Sequence, residues 1–365
     1  MTRSVQVDAT AQVRVSIVIP VYNNAEHFSE CLESVLAQTY KNWDCTIVNN
    51  CSTDGSAETA RRYAAIDPRI RVIDNEKYLK VVANHNWALS QISVDSRYCK
   101  VVFADDWIFP NCLAEMVSVA EHNPSAALVG ALWIFGTAAE VRGSGLPCGN
   151  ALFSGREIGR RYFLDGLNVF GALHNILLRA DVVRSHHPLL NESSLLSDRE
   201  MCLHLMRTHD FAFVHQVLTF TRDRPGSLTD VSIRMNSYIP ADLYEIITFG
   251  RDFVAETEYR RCLKRRYDLY YNFLALAAMR GHRDLQFWNF HRGKLAACGL
   301  TLSHKQMVLS ALARIARAVI RPGETFKKLL RNNRGTVQGV GSTRPVPSTG
   351  AARASTASPP SSPSL

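Results

Sequence analysis

Ser16-Ile17-Val18-Ile19-Pro20-Val21-Tyr22-Asn23-Asn24 is the stretch whose reading decides the fold. Val15, Ile17, Val18 and Ile19 leave no polar face, which suits a strand buried on both sides, and Pro20 is expected to stop it. Apolar residues then recur at Phe28, Cys31, Leu32, Val35 and Leu36 with helical spacing, ending near Gln38. Asn23 and Glu26 stand where a capping box would open that helix. A second strand over 44–48 runs into the polar loop Asn49-Asn50-Cys51-Ser52-Thr53-Asp54-Gly55-Ser56, and a helix over 57–65 follows. Asp67-Pro68 turns the chain into a third strand over 70–73. A helix around 84–91 leads to a fourth strand over 98–103, which ends at Ala104-Asp105-Asp106 before Pro110-Asn111 opens the next helix. This alternation predicts βα units around a largely parallel sheet. Ligands of such sheets gather beyond the carboxyl ends of the strands, where three polar loops fall here: 22–24, 49–56 and 105–106.

The remaining sequence sets the limits of this reading. With 365 residues, 46% of them hydrophobic, the chain can bury a large core plus an appendage. No apolar run approaches the roughly 20 residues of a membrane span, and residues 1–14 are polar, so a cytoplasmic protein, neither secreted nor spanning, is expected. Nine scattered cysteines with no CxxC pair read as reduced, buried thiols. The formal charge is +9, yet residues 251–334 alone carry 18 Lys/Arg against 6 Asp/Glu. The basic charge therefore belongs to a C-terminal segment suited to an anionic surface.

Residues 131–229 continue as mixed strands and helices, with an irregular Gly-rich loop at 143–149. From Ala241 to about Leu330 the pattern is helical. Along the stretch that begins at Ser303, Val308, Ala311, Leu312, Ile315 and Val319 line one face and Arg314, Arg317 and Arg321 the other, until Pro322-Gly323 breaks it. Beyond Asn332 the chain is Ser/Pro-rich and is expected to be a disordered tail. The expected organisation is an N-terminal tail (1–13), a catalytic domain (14–235), a basic helical region (236–331) and the tail (332–365).

Three motifs in order resemble the opening of the family 2 inverting glycosyltransferases: the 16–24 stretch, Gln38-Thr39-Tyr40-Lys41-Asn42-Trp43-Asp44, and Val48-Asn49-Asn50-Cys51-Ser52-Thr53-Asp54-Gly55-Ser56. The likeness continues through Asn84-His85-Asn86-Trp87-Ala88-Leu89 to Ala104-Asp105-Asp106, and more loosely through Ser197-Asp198-Arg199-Glu200 and residues 222–227. It implies a GT-A type, Rossmann-like α/β fold, with a mostly parallel sheet flanked by helices and a helical C-terminal extension. It also implies transfer of a sugar from a nucleoside-diphosphate sugar to a hydroxyl of a polysaccharide, lipid-linked glycan or glycoconjugate.

Site roles follow from that resemblance. Asp105-Asp106 takes the place of the family's DxD-type motif, with Phe103 where a longer form has its first Asp. Asp106 is assigned to Mg²⁺ or Mn²⁺, a cation commonly held by one or two carboxylates plus substrate phosphates, and Asp105 to the donor ribose. The backbone at Pro20 and the loop residues Tyr22 and Asn23 are expected to face the nucleotide. Asn49 and Asn50 stand where the family shows an acidic residue that accepts from the base; an amide oxygen can accept the same bond without charge. Asp54 is expected to cap a helix or order its loop. Asp198 is the candidate base that takes the acceptor's proton, with Glu200 in reserve. Arg222 and Arg224 are expected near the diphosphate, whose oxygens suit planar guanidinium donors.

Competing classes lack their motifs. No glycine-rich phosphate loop follows the first strand, as a nucleotidyltransferase would need, and no GxGxxG follows any strand. A non-catalytic nucleotide-sugar or glycan-binding protein of the same fold is the alternative that Asn49-Asn50 motivates. The basic stretch from Ser303 to Ile320 has two readings: docking on an anionic membrane at the inner face of the cell, or packing on the catalytic domain with its arginines in water. Nucleic acid is not an expected partner.

Overall fold

Val15–Val21 forms β1, paired with a strand on each edge and buried along its whole length because its two faces lie in two different hydrophobic clusters, Val18 in one and Val15, Ile17, Ile19 and Val21 in the other. The chain is described by a computed structural model over residues 13–224 and 228–320. The N-terminal tail, Pro225-Gly226-Ser227, Arg321, Pro322-Gly323 and the Ser/Pro-rich tail lie outside the described residues. Pro20 does not stop β1. It sits in register with Val48, and the strand runs on through Val21.

The elements follow as α1 (Ala25–Leu36), β2 (Trp43–Asn49), α2 (Ser56–Ile66), β3 (Ile70–Asp74), α3 (Val81–Leu89), β4 (Tyr98–Val101), β5 (Trp107–Ile108) and α4 (Cys112–His122). Then come β6 (Ala126–Phe135), β7 (Glu140–Arg142), β8 (Leu152–Phe153), α5 (Gly155–Asp165), β9 (Leu177–Arg179), α6 (Ala180–Ser185), α7 (Ser197–Leu205) and β10 (Asp210–Thr221). The last helices are α8 (Leu228–Arg234), α9 (Tyr238–Phe253), α10 (Glu256–Met279), α11 (Leu285–Ala297) and α12 (His304–Ile320). The sheet order is β3-β2-β1-β4-β9-β6-β10-β5. β3, β2, β1 and β4 are parallel, as are β6 and β10, while β9 runs antiparallel between β4 and β6. This is the mostly parallel α/β sheet expected, with β9 reversed at its centre and the short strands β5, β7 and β8 pairing antiparallel to β10, β6 and β10.

The cap of α1 differs from the sequence expectation. No side chain caps α1 from within the box: Asn23 turns away with φ +48° and its Oδ1 accepts from Thr53 N (2.8 Å). Asp54 does the work for both helices. Its Oδ2 accepts from Ala25 N (2.9 Å) at the start of α1, and its Oδ1 from Ser56 N (3.1 Å) at the start of α2. One carboxylate thus satisfies donors at two helix starts, where negative charge is favoured.

The C-terminal helices share a hydrophobic core with the sheet. Tyr270, Tyr271 and Leu274 of α10 and Leu243 and Ile246 of α9 are fully buried in the same cluster as Leu178, Phe211 and Phe213. A buried ion cluster crosses that boundary. Arg199 of α7 donates through Nη2 to Asp242 Oδ1 (2.6 Å) and Glu245 Oε2 (2.6 Å) of α9 and contacts the Tyr162 hydroxyl of α5, which itself donates to Glu245 Oε2 (2.5 Å). Glu245 is fully buried, and burial pushes its carboxyl up to about 7 even with the guanidinium beside it.

α12 packs on α10 through the side that holds Ser310 and Met307. Its apolar stripe points outward: Val308 is 58%, Leu312 57% and Ile315 48% exposed. Among the described residues, Val308, Leu312 and Ile315 therefore do not pack on the domain.

Removing one partner of a buried pair strands the other charge, so Glu245→Ala should destabilise the protein by about 3 kcal/mol, read as a lower urea midpoint with an unchanged slope. A loss below about 1 kcal/mol would mean that the cluster is solvated.

Candidate functional site

The carboxyl ends of β1, β2 and β3 meet in a web of amides. Asn49 donates through Nδ2 to Asp74 Oδ1 (2.7 Å) and accepts at Oδ1 from Ser52 N (3.2 Å). Asn50 donates to Leu79 O (2.8 Å), and its Oδ1 accepts from Leu79 N and Asn75 Nδ2 (2.9 Å each). Both amides are buried, with their hydrogen-bonding capacity directed into the loops at the carboxyl end of the sheet. Pro20 is buried inside β1. What reaches the surface is Tyr22, 45% exposed, tilted against Tyr78, 52% exposed, at 4.9 Å between ring centroids. Tyr78 lies in a charged loop with no periodicity, which is why sequence reading missed it.

The acidic pair sits between β4 and β5, and the end of β10 returns to it. Thr219 and Phe220 pair antiparallel with Ile108 and Trp107, and the Trp107 and Phe220 rings stack at 3.6 Å. This carries Arg222 and Arg224 back across more than a hundred residues. Asp106, 3% exposed, accepts at Oδ1 from the Arg222 backbone N–H (2.7 Å). Arg222 also donates through Nε to Asp105 O (3.0 Å) and through Nη2 to Glu30 Oε2 (2.6 Å), while Arg224 Nε pairs with Asp105 Oδ2. The two carboxylates face different partners, as adjacent side chains at a strand end should. Burial first, then the charge of Asp105, pushes the Asp106 carboxyl well above the usual range.

Behind the pair lies an aromatic wall. The Phe103 ring stacks on His174 (5.7 Å) and meets His85 edge-on (5.3 Å). His174 is fully buried with Nε2 unpartnered, and burial holds it neutral, well below the usual histidine range. His85 lies close enough to feel the charge of Asp105, although burial pulls its pKa down overall. Glu30 and Trp107 also join the site. Each sits within an ordinary helical or strand pattern, so nothing local distinguished it.

Asp198 and Glu200 open α7, and two residues of helix turn their side chains about 200° apart. Asp198 Oδ1 accepts from Arg199 N (2.9 Å), and burial pushes its carboxyl up to about 6. Its charge acts on Tyr238 and Cys202. Glu200 turns the other way, buried, with Oε2 accepting from Asn191 Nδ2 (2.8 Å).

Among the described residues no group of three or more His, Cys, Asp or Glu could hold a metal ion. A single buried carboxylate suits a hard cation only where phosphate oxygens or water complete the shell, so Asp106 fits an ion that arrives with a diphosphate.

The α/β sheet thus brings acidic and basic side chains together past its strand ends, the place where ligands of such sheets gather. The glycosyl transferase family 2 model matches residues 16–185 of the chain. Glycosyltransferase GlyA of Streptococcus pneumoniae is 36% identical over 95 residues, 26% of this chain and 13% of that protein. GlyG of the same organism is 28% identical over 116 residues, 32% and 38% of the two chains. The chain thus spans less than half the length of these curated relatives. Among solved structures, residues 1–349 of S. aureus TarS with UDP-GlcNAc match with a TM-score of 0.57 at 14% identity, over 78% of this chain and 80% of that one. The mannosyltransferase PcManGT from Pyrobaculum calidifontis, with GDP-Man and Mn²⁺, matches at 0.51 and 16% identity, over 86% and 87%. These likenesses establish a GT-A type fold.

The sparse donor set makes a prediction about metal binding. In a panel of UDP, dTDP, GDP and CDP, at least one should raise the melting temperature more with Mn²⁺ than without. Mn²⁺ alone, followed by its electron paramagnetic resonance, should remain largely free. Equally tight Mn²⁺ binding without any nucleotide would contradict the geometry.

Proposed function

We propose that the chain is a glycosyltransferase that moves a sugar from a nucleoside-diphosphate sugar to a hydroxyl acceptor with inversion, the acceptor belonging to a polysaccharide, lipid-linked glycan or glycoconjugate. The observation that carries this is the convergence of Asp105, Asp106, Arg222 and Arg224 past the strand ends of a family 2 domain. Residues 14–235 carry the transfer on this reading, and the helices from 236 onward brace it.

Tyr22 and Tyr78 offer apolar faces to the base, and Asn23 and Asp105 lie beside the nucleoside. Asp106 would hold Mg²⁺ or Mn²⁺, which when bound offsets the charge that builds on the diphosphate as it leaves. Arg222 and Arg224 add fixed positive charge on the same side. On the opposite face Asp198 takes the proton from the acceptor hydroxyl as its oxygen bonds to the anomeric carbon and the bond to the diphosphate breaks. A carboxyl held near 6 by burial is a better base than an exposed aspartate and still ionised at neutral pH.

Asp106→Ala should abolish Mn²⁺-dependent donor turnover while the protein still folds. Asp198→Asn should lower kcat roughly 100- to 10,000-fold with donor binding kept. In the unsubstituted enzyme kcat should rise with pH through about 6, because the base acts only when deprotonated. Donor binding without turnover under any condition would favour a nucleotide-sugar-binding protein instead.

The outward stripe of α12 extends the proposal to location. Between Asp284 and Glu324 the sequence has no acidic residue but carries Arg292, Lys294, Lys305, Arg314, Arg317 and Arg321. An exposed apolar stripe within such a basic segment suits the interface of an anionic bilayer, at the inner face of the cell membrane. The protein should co-sediment with phosphatidylglycerol vesicles and not with phosphatidylcholine vesicles. Leu312→Asp should release it; retention on DNA in its place would overturn this part.

A further inference from the structure

A cavity of about 290 Å³ opens on the side of α7 that faces away from Asp198. α7, α9, α11 and the loop before α7 enclose it, and its wall includes Asn191, Ser194, Glu200, Ser237, Tyr244 and Lys294. None of Asp105, Asp106, Arg222 or Arg224 lines it. The cavity is therefore distinct from the site on the acidic pair.

Its chemistry is specific. Glu200 is only 7% exposed, and among the described residues the one side chain that bonds its carboxylate is the neutral Asn191 amide, at Oε2. A carboxylate taken out of water with a single neutral hydrogen bond is costly unless another donor reaches it. Lys294 does not supply that donor. Its ammonium gives a hydrogen bond to Ser193 O (3.1 Å), which leaves further N–H donors free. The wall thus presents an anionic acceptor, a cationic donor, an amide and serine hydroxyls beside the half-buried Tyr244 ring and the apolar Leu195, Leu196 and Pro240.

An anion in this space would be repelled by Glu200, and a cation by Lys294. A neutral polyol satisfies both, since each hydroxyl donates and accepts. A sugar ring adds an apolar face that can lie on Tyr244. The volume is at the small end of ligand sites, which begin at about 300 Å³, and suits one ring with part of a second.

We infer that this cavity is a second saccharide site, which takes a neutral sugar unit of a glycan on the reverse side of the helix that carries Asp198. The inference takes its choice of ligand class from the reading under Proposed function and does not require that transfer occurs.

The test is saturable binding by the full chain, followed by ligand-observed nuclear magnetic resonance, of glucose, galactose, mannose, N-acetylglucosamine and their β-linked disaccharides. UDP, GDP and Mn²⁺ are added at saturating concentration to fill the other site. At least one sugar should bind under these conditions, and Glu200→Gln, which keeps the shape of the side chain, should weaken it about tenfold. Tyr244→Ala should weaken it similarly while Tyr244→Phe retains it, each variant checked for an unchanged melting temperature. Absence of binding across the panel, displacement by the nucleotides, or equal affinity in Glu200→Gln and Tyr244→Ala would overturn the site. Sugar binding that these variants lose, in a protein with no donor turnover, would leave the site standing while the transferase reading fell. Turnover without such binding would do the reverse.

Discussion

The antiparallel pairing of Thr219 and Phe220 with Ile108 and Trp107 is the constraint on which the site depends. Asp106 is buried, and a buried carboxylate with another carboxylate next to it in sequence is unfavourable without compensation. The compensation comes from Arg222 and Arg224, which follow directly on β10. The stacked Trp107 and Phe220 rings lock the register, and the Arg222 guanidinium lies 5.3 Å from the Trp107 ring. A one-residue slip of this pairing would turn the side chains to the other face and separate the charges. The two strands are thus better understood as a clasp that assembles the site than as an extension of the sheet.

The first half of the fold was legible because its signals are local. Strand hydrophobicity, helical spacing and polar loops recur within windows of about ten residues, and β1 to β4 and α1 to α4 lie close to where these signals put them. Their ends were less legible. Proline within β1 is accommodated because sheet pairing is set by both neighbours, and the cap of α1 comes from Asp54 in another loop. Such long-range donors and acceptors leave no trace in the sequence beside the helix they serve.

The site was legible only where a motif carried it. Asp105-Asp106 stood out as a pair at a strand end, whereas Glu30, Tyr78, His85 and Trp107 join through tertiary contacts. The amides Asn49 and Asn50 show the same limit from the other side. Their position in the motif suggested contact with a base, yet each is held by several loop partners, and Asn50 alone bonds to both Leu79 and Asn75. Replacing a carboxylate by an amide adds donors as well as removing charge, and those donors are what close the web.

The C-terminal helices are tied to the helix of Asp198, α7. Arg199 is adjacent to Asp198, and its guanidinium is held by Asp242 and Glu245 of α9. A long side chain fixed at its tip by three partners, with the tip buried, has little freedom left, and that rigidity extends to the helix that carries it. The same helix turns Asp198 toward one side and Glu200 toward the cavity on the other. The Arg199 network thus ties α7 to α9, and Asp198 and Glu200 both ride on the helix so held. An appendage that only carried the enzyme to a surface would need no buried ions at its junction; these ions cost desolvation, and what they provide is a fixed orientation for α7.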